Sequence, residues 1–272
     1  MRLAVSNLAW PATADDAVAG VLRAHGASGV ELAPTRVWPA APAVPLAEAR
    51  ARAEWWRVRG LEVVAFQAIL FGRPELSVFS SGPALTTLQR HLGEMGILAA
   101  AMGAHVLVLG APGNRRRGAL GFDDAVRVAA DGLRPVAVAL APLGVHLCVE
   151  PNPPRYGCDF VTTAAEAYVL AEAVGHPNFG VHLDAAALAL AGETSPAALA
   201  SVMPHVRHFH VSEVDLAPVG SATDVSHAVI GASLRACNYS GWRSIEMRAQ
   251  EAVPWETAIP AALAVARACY GD

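Results

Sequence analysis

Four short apolar runs, HLCVE at 146–150, GVHLD at 180–184, VRHFH at 206–210 and RSIE at 243–246, each end in a side chain that can bind a metal ion. Their last residues, Glu150, Asp184, His210 and Glu246, are separated by 34, 26 and 36 residues, each close to one strand plus one helix. If successive units form neighbouring parallel strands of a closed barrel, these side chains meet at its mouth, where such barrels carry their reacting groups. Carboxylates and an imidazole without cysteine favour Mg²⁺, Mn²⁺ or Co²⁺, with Zn²⁺ as an alternative.

The rest of the chain repeats the same alternation of short β-like runs and Ala/Leu-rich helical runs. We predict strands near Leu3–Trp10, Gly29–Ala33, Glu62–Gln67, Val106–Gly110, Val145–Glu150, Phe179–Asp184, Val206–Val211 and Arg243–Met247. We predict helices near Ala14–His25, Leu46–Arg59, Pro83–Met102, Gly121–Leu143, Thr163–Val174, Pro196–Met203, Ser226–Cys237 and Trp255–Tyr270. Eight strand–helix pairs favour an α/β fold of the (β/α)₈ TIM barrel type, as a single domain over residues 1–272, rather than a doubly wound sheet.

Composition excludes several classes of protein. The chain has no lysine, since all 20 basic residues are arginine, and a Schiff-base or pyridoxal-phosphate enzyme needs a lysine amine. The net charge of −4 and the absence of a long basic stripe disfavour nucleic acid as a partner. No uninterrupted apolar stretch reaches about 18 residues, so we expect no membrane span. An N-terminus too polar for a signal peptide and four cysteines without CxxC spacing point to the cytoplasm.

Glu150 opens the strongest local motif, VEPNPPRYG at 149–157. A carboxylate between an apolar strand and Pro-Asn-Pro-Pro lies in a stiff loop, where Asn152 can hydrogen-bond it or a substrate hydroxyl. Singly, Glu150, Asp184 or Glu246 could be an ordinary strand-end cap or turn residue, and a lone barrel histidine is more often a core residue than a ligand. Four candidates in register at successive strand ends are stronger evidence than any one of them. His182 and Cys148, one layer deeper on the same faces, are interpreted as packing or as support for the ligands.

These runs and their neighbours resemble the xylose isomerase-like barrels, and within them the sugar phosphate isomerase/epimerase group. The resemblance rests on SNLAW at 6–10, GVEL at 29–32, VEPN at 149–152, HLD at 182–184, HFHVSE at 208–213 and SIEMR at 244–248. It implies that Glu150, Asp184, His210 and Glu246 hold a divalent metal and that Glu150 and Glu246 are also the catalytic acid/base pair. It further implies a small-molecule sugar or polyol substrate and a homodimer or homotetramer.

The chemistry expected from this resemblance is epimerisation or isomerisation of a sugar, sugar phosphate or cyclitol through a cis-enediolate. One glutamate would remove a proton next to a carbonyl, and the other would return it, while a bound cation stabilises the charge. Two departures put a free ketohexose substrate in doubt. Ala187 stands where many relatives have a histidine, and Leu216 stands where ketose 3-epimerases have an arginine.

Other residues of the predicted mouth loops are candidates for substrate binding. Arg73, Arg155 and Arg248 would best suit an anionic group such as a phosphate or carboxylate. Arg115, Arg116 and Arg117 follow strand four, and Arg116 and Arg117 are at least as compatible with a solvated loop. Glu31 is expected either to hydrogen-bond a hydroxyl or to brace Arg36 or another neighbour. The complete predicted substrate-binding set is Trp10, Phe66, Gln67, Arg73, Asn152, Arg155, Glu213 and Arg248.

Three other functions stay open at this point. A dehydratase or lyase would use the same metal site and expel a β-hydroxyl from a keto-polyol. A DNA-repair endonuclease shares the architecture, but the expected additional histidines on earlier strands are missing and Gln67 ends strand three. A non-catalytic partner subunit is compatible with Ala187 and Leu216.

Overall fold

The structure is a computed structural model that describes residues 1–222 and 224–271. Within those ranges, eight parallel strands close into a barrel in sequence order, with β8 hydrogen-bonded to β1. The strands are β1 Arg2–Ser6, β2 Gly29–Leu32, β3 Glu62–Phe66, β4 Val106–Leu109, β5 His146–Val149, β6 Phe179–Asp184, β7 Val206–Ser212 and β8 Trp242–Glu246. The predicted (β/α)₈ barrel is confirmed.

Helices surround this barrel. They are α1 Asp15–Ala24, α2 Pro34–Val37, α3 Leu46–Arg57, α4 Gly82–Met102, α5 Phe122–Leu140, α6 Ala164–Val174, α7 Ala185–Ala191, α8 Pro196–Leu199, α9 His227–Ala236 and α10 Trp255–Tyr270. Two short helices, α2 and α7, directly follow strands and were not predicted. None of the helices in the described ranges is long and apolar enough to cross a bilayer.

The strands read as continuous apolar runs because both of their faces are covered. Outward residues such as Leu147 and Phe209 pack under the helices, while inward residues fill the barrel, and both are fully buried. Several helices that precede strands end on left-handed glycines, for example Gly103 after α4 with φ +80°, a conformation that a β-carbon disfavours. Because helices and turns alternate regularly with the strands, the C-terminal ends of all eight strands lie at the same mouth of the barrel.

Two register shifts alter the regular barrel. Between β2 and β3 the pairing slips by one residue at Val30/Glu31, and between β6 and β7 it slips at Val181/His182. Such bulges re-aim side chains near functional sites. The first lies at Glu31 and the second at His182. The shifts therefore affect the direction of these two buried polar side chains inside the barrel.

Candidate metal centre

The structure brings the four strand-end side chains together. One ligand atom each of Glu150, Asp184, His210 and Glu246 lies within 4.8 Å of the others. His210 and Asp184 are almost fully buried, whereas the two glutamates are partly open to the mouth. The chain therefore places three carboxylates and one imidazole around a common point at the C-terminal end of the barrel.

Asp184 is held by two donors from neighbouring elements. Its Oδ1 accepts a hydrogen bond of 2.8 Å from the Ala187 backbone N–H, which caps the first turn of α7. Its Oδ2 accepts one of 2.5 Å from the Ser212 hydroxyl at the end of β7. Each carboxylate oxygen has a second lone pair, so these bonds fix the orientation of Asp184 and leave it able to bind a cation.

Glu150 sits on a loop that is anchored from below by a buried arginine. Arg115, only 1% exposed, donates to the Glu150 carbonyl and to Asn152 Oδ1, both at 2.7 Å, and to the Phe160 carbonyl at 2.9 Å. Beside it, a β-carbon at Gly110 would lie 1.8 Å from Glu150 Oε2. The position of this carboxylate therefore depends on a glycine at the end of β4.

Glu246 is oriented from the opposite side of the mouth. Gln67, at the end of β3, donates to Glu246 Oε1 at 2.7 Å. Glu246 Oε2 lies 3.3 Å from His210 Nδ1. One oxygen of this carboxylate is thus tied to the amide, while the other faces the cluster.

His210 also contacts a carboxylate deeper in the barrel. Its Nε2 lies 2.9 and 3.0 Å from the two oxygens of Glu31, and His208 Nε2 lies 3.0 Å from Glu31 Oε2. Of the two roles expected for Glu31, the structure favours the brace, although its partners are these histidines. Arg36 instead donates to the Trp10 carbonyl.

His182 lies between this layer and Glu150. Its ring packs edge-on against His210 with centroids 4.0 Å apart, and its Nε2 lies 3.6 Å from Glu150 Oε1. Neither of its ring nitrogens has a hydrogen-bond partner in the described part of the chain. Burial, reinforced by His210, holds the pKa of His182 well below its ordinary value, so the ring is neutral.

Burial and the crowding of like charges raise the pKa values of Glu150 and Asp184. Burial, together with Glu246 and Asp184, raises the pKa of Glu150 to about 8. Burial and then Glu246 raise the pKa of Asp184 to about 6. Burial would lower the pKa of His210, but Glu31 and Glu246 outweigh it and hold that pKa well above its ordinary value.

For Glu31 the balance is reversed. Burial would raise its pKa, but His210 and His208 hold it well below the ordinary value. The deeper carboxylate is therefore ionised and bonded to the histidines, while the carboxylates of the mouth repel one another.

These residues fit a divalent cation. The mouth carboxylates carry a repulsion that a cation would relieve, and His210 Nδ1 is a buried nitrogen with no hydrogen-bond partner among the described residues. Oxygen-rich sites with one imidazole suit Mg²⁺, Mn²⁺ or Co²⁺ and accept Zn²⁺. Cys148 takes no part, since burial raises the pKa of its thiol to about 12.

A cavity of about 390 Å³ opens above the cluster. Predicted substrate-binding residues Asn152, Glu213 and Arg248 line it, together with Ala187 and Leu216. Glu213 is already bonded, because its Oε1 accepts from the Gly220 N–H and faces His227 Nε2, each at 3.0 Å. Among the described residues that line this cavity, Arg248 is the one arginine.

Of the other predicted substrate-binding residues, Gln67 bonds Glu246, and neither it nor the remaining four is part of this lining. Trp10 and Phe66 are fully buried, and the indole N–H of Trp10 donates to Asp15 at 2.6 Å. Arg73 lines a separate cavity beside His91 and pairs with Glu75 at 2.5 Å. Arg155 forms an exposed ion pair with Asp215 at 2.9 Å.

Some residues of the mouth were not predicted from the sequence. Gly110, Ser212 and Tyr156 line the cavity, and the Tyr156 hydroxyl accepts from the Asp215 N–H at 3.1 Å. A glycine or serine at the end of a predicted strand was the available signal for the first two. Arg115, the first of the three arginines after β4, is buried and supports the Glu150 loop.

A larger groove of about 830 Å³ lies at the opposite end of the barrel, between α8, the start of β7 and the turn before β8. Its lining includes Arg207, Cys237 and Tyr239 but none of the clustered carboxylates. Since TIM-barrel chemistry takes place at the C-terminal ends of the strands, the smaller cavity is the candidate active site.

Comparison with known proteins agrees with this architecture. A family model described as "Xylose isomerase-like TIM barrel" matches residues 20–269. A comparison with curated proteins gave no significant match.

Several solved structures share the fold over the whole chain. D-psicose 3-epimerase from Clostridium cellulolyticum H10 superposes with a TM-score of 0.83 at 15% identity, covering 100% of both chains. The 3-keto-D-glucoside 4-epimerase from E. coli gives 0.81 at 18% identity, covering 99% of this chain and 100% of that one. A probable 3-DHS dehydratase from Bacillus anthracis gives 0.73 at 15% identity, covering 97% and 98%. At identities this low, the structural similarity establishes the shared fold alone.

Proposed function

The chain belongs to the xylose isomerase-like TIM barrel family, and on that basis we propose that it is a divalent-metal-dependent epimerase or isomerase. Its substrate is a sugar, a sugar phosphate or a cyclitol that carries a carbonyl group. Solved structures with the same fold include sugar epimerases, which supports this class of reaction.

The observation that carries the proposal is the convergence of Glu150, Asp184, His210 and Glu246 within 4.8 Å beneath an open cavity. Asp184 and His210 mainly hold the ion. Glu150 and Glu246 come from β5 and β8, which are separated by two other strands, so they approach a bound substrate from different sides. This arrangement supports a role for the pair as acid and base.

A bound divalent ion would polarise the substrate carbonyl and a neighbouring hydroxyl. Glu246, steadied through its Oε1 by Gln67, is positioned to exchange a proton with a substrate carbon, and Glu150 exchanges one from its own side. The cis-enediolate of the substrate then receives a proton in one of two places. A proton on the opposite face of the same carbon inverts that carbon, and a proton on the next carbon moves the carbonyl group.

The cavity lining suggests how the substrate is oriented. Asn152 lines the cavity with its Oδ1 held by Arg115, which leaves its amide N–H groups for a substrate, and Arg248 offers a positive charge in the same lining. Gln67 is buried and outside this lining, so it acts on the substrate through Glu246, to which it donates. We therefore propose Asn152 and Arg248 as substrate contacts, with an anionic substituent at Arg248.

The test is exchange of substrate hydrogen with solvent. The protein would be purified with and without chelator, reloaded with Mn²⁺, Mg²⁺ or Co²⁺, and incubated in D₂O with a panel of polyol ketones and their phosphates. Deuterium should enter next to the carbonyl only in metal-loaded protein and be lost in Glu150→Gln and Glu246→Gln. Glu62→Gln, an exposed glutamate at the start of β3, is the control. Absence of exchange with every compound, despite bound metal, would count heavily against the proposal.

A dehydratase is the second candidate, since the 3-DHS dehydratase shares the fold and the cavity wall carries Ala187 and Leu216. In that reaction the same enediolate expels a β-hydroxyl, which leaves as water after taking a proton from a glutamate. Dehydrated product without deuterium in recovered substrate would favour it. A non-catalytic barrel subunit would retain metal and respond to Glu246→Gln with no change in any activity.

A further inference from the structure

A buried line of charged and polar groups runs down from the mouth into the barrel. Glu246 Oε2 faces His210 Nδ1 at 3.3 Å, His210 Nε2 contacts both oxygens of Glu31, and Glu31 Oε2 contacts His208 Nε2 at 3.0 Å. Glu31 and the two histidines are at most 1% exposed. Apart from Glu246, the groups of this line are therefore shielded from water.

The two ring nitrogens of His210 face different surroundings. Nε2 lies 2.9 and 3.0 Å from the two oxygens of the Glu31 carboxylate. An ionised carboxylate accepts hydrogen bonds and cannot donate one. Nδ1 has no aligned partner among the described residues and faces Glu246, one of the proposed ligands. A carboxylate that accepts a hydrogen bond from the N–H of one imidazole nitrogen keeps the proton there, so the lone pair of the other nitrogen is available to a metal ion.

Glu31 reaches His210 across the barrel interior. It lies on β2, whereas His208 and His210 lie on β7, and β1 and β8 separate these strands in the sheet. The register slip between β2 and β3 occurs immediately at Glu31, where a bulge redirects side chains. The position of this carboxylate is thus set by the closed barrel and its bulge.

Glu31 itself is held in place from a second direction. His208 occupies its Oε2, so the carboxylate has a donor on each side and a restricted orientation. A carboxylate buried without such donors would carry a large desolvation penalty. The pair of histidines compensates that penalty, and the carboxylate in turn restrains the ring of His210.

We propose that Glu31 is a positioning residue of the metal centre, which keeps the proton of His210 on Nε2 and directs Nδ1 to the cation, and that His208 holds Glu31. The inference rests on the proposed metal site and extends it to residues outside the ligand set. Replacing such a supporting group typically weakens metal affinity about 10- to 100-fold.

The first measurement is Zn²⁺ affinity and stoichiometry by calorimetry for the wild type and Glu31→Gln. We expect one equivalent in both, with about 10- to 100-fold weaker binding in the variant. Glu172→Gln is the control, because Glu172 also pairs with a histidine, His205 at 3.0 Å, but lies on α6 and outside the lining of the mouth cavity. Its affinity should stay within about threefold, well short of the loss expected at a supporting group.

The second measurement is the ¹⁵N spectrum of histidine in the Zn²⁺-loaded protein. We expect one ring, absent in His210→Asn, with a proton on Nε2 and the metal on Nδ1. The opposite tautomer would overturn the proposal, as would unchanged affinity in Glu31→Gln. Two equivalents of zinc in the wild type and one in Glu31→Gln would also overturn it, since Glu31 would then be a ligand together with His208.

Failure of this inference and failure of the proposed reaction have different signatures. Wild type that binds zinc but catalyses no exchange contradicts the reaction, and the affinity comparison still decides the role of Glu31. If Glu31→Gln does not fold, His208→Gln tests the same support while retaining Glu31. We then expect a loss of about 10-fold, the lower end of the effect of such supporting groups. An affinity equal to that of the wild type would then contradict the proposal.

Discussion

Replacing Glu150 by glutamine should stabilise the metal-free protein at pH 9 and have little effect at pH 5. The pKa of this carboxyl is raised from 4.5 to about 8 by burial and by the charges of Glu246 and Asp184. The stability linked to it is fully present below pH 4.5 and is lost as the pH rises through 8. Above that pH the wild type holds an ionised group in an unfavourable place, and the variant does not.

The size of the effect follows from the raised pKa. Each pH unit between 4.5 and 8 costs about 1.4 kcal/mol, so the full penalty approaches about 5 kcal/mol. The amide is itself a buried polar group and recovers only part of it, so we expect a gain of about 3 kcal/mol at pH 9. For a protein of this size that corresponds to roughly 5 to 6 °C in Tm.

The assay is urea and thermal denaturation followed by circular dichroism, in chelator, from pH 5 to pH 9. Glu62→Gln on the exposed start of β3 controls for loss of one carboxylate. Adding Zn²⁺ at pH 8 should cancel most of this difference, because ligand at about 100 times its Kd stabilises the wild type by about 2.7 kcal/mol and the variant lacks one ligand. A variant whose change in stability is the same at pH 5 and pH 9 would refute the reasoning.

Three further outcomes are expected. Metal affinity should rise from pH 6 to pH 8, because Glu150 with a pKa of about 8 and Asp184 with a pKa of about 6 must lose protons to bind a cation. Calorimetry in buffers of different ionisation enthalpy counts the protons released, and release of no proton would contradict this. Gln67→Ala should lower kcat roughly 10- to 100-fold at unchanged metal content, since a hydrogen bond to a charged group contributes about 1.5–3 kcal/mol; an unaltered kcat would show that the bond to Glu246 is dispensable. Arg248→Gln should raise KM about tenfold for phosphorylated substrates and leave it unchanged for neutral ones, with Arg73→Gln as the control outside the cavity. Equal effects on both substrate types would argue against an anion contact.

The alternation of apolar runs and helices was sufficient to predict the barrel. Each strand is a short apolar run because helices and interior cover both of its faces, and this pattern is visible locally. The short helix α7 was missed because Asp184 ends one element and caps the next without an intervening loop. The pattern of strand ends also pointed to the four side chains that the structure brings together.

The outcome for the loop residues was mixed for a physical reason. Arg73, Arg155 and Arg115 all follow strands in the sequence, yet the first two pair with nearby acids and the third is buried beneath the Glu150 loop. A long side chain can point in many directions from a loop, and its partner is decided by which loops fold against it. Sequence position alone does not distinguish an arginine that faces a substrate from one that supports a carbonyl.

Local sequence thus determined the barrel and the level at which the polar side chains sit, because strand length and the period of two assign each residue to a layer and a face. Only the closed tertiary structure decided the partners. Glu31 meets His210 across 179 residues of chain, through a bulge and a barrel closure that no local pattern records. The environment of each ring nitrogen and carboxylate oxygen is a property of that closure, because it depends on side chains from opposite walls.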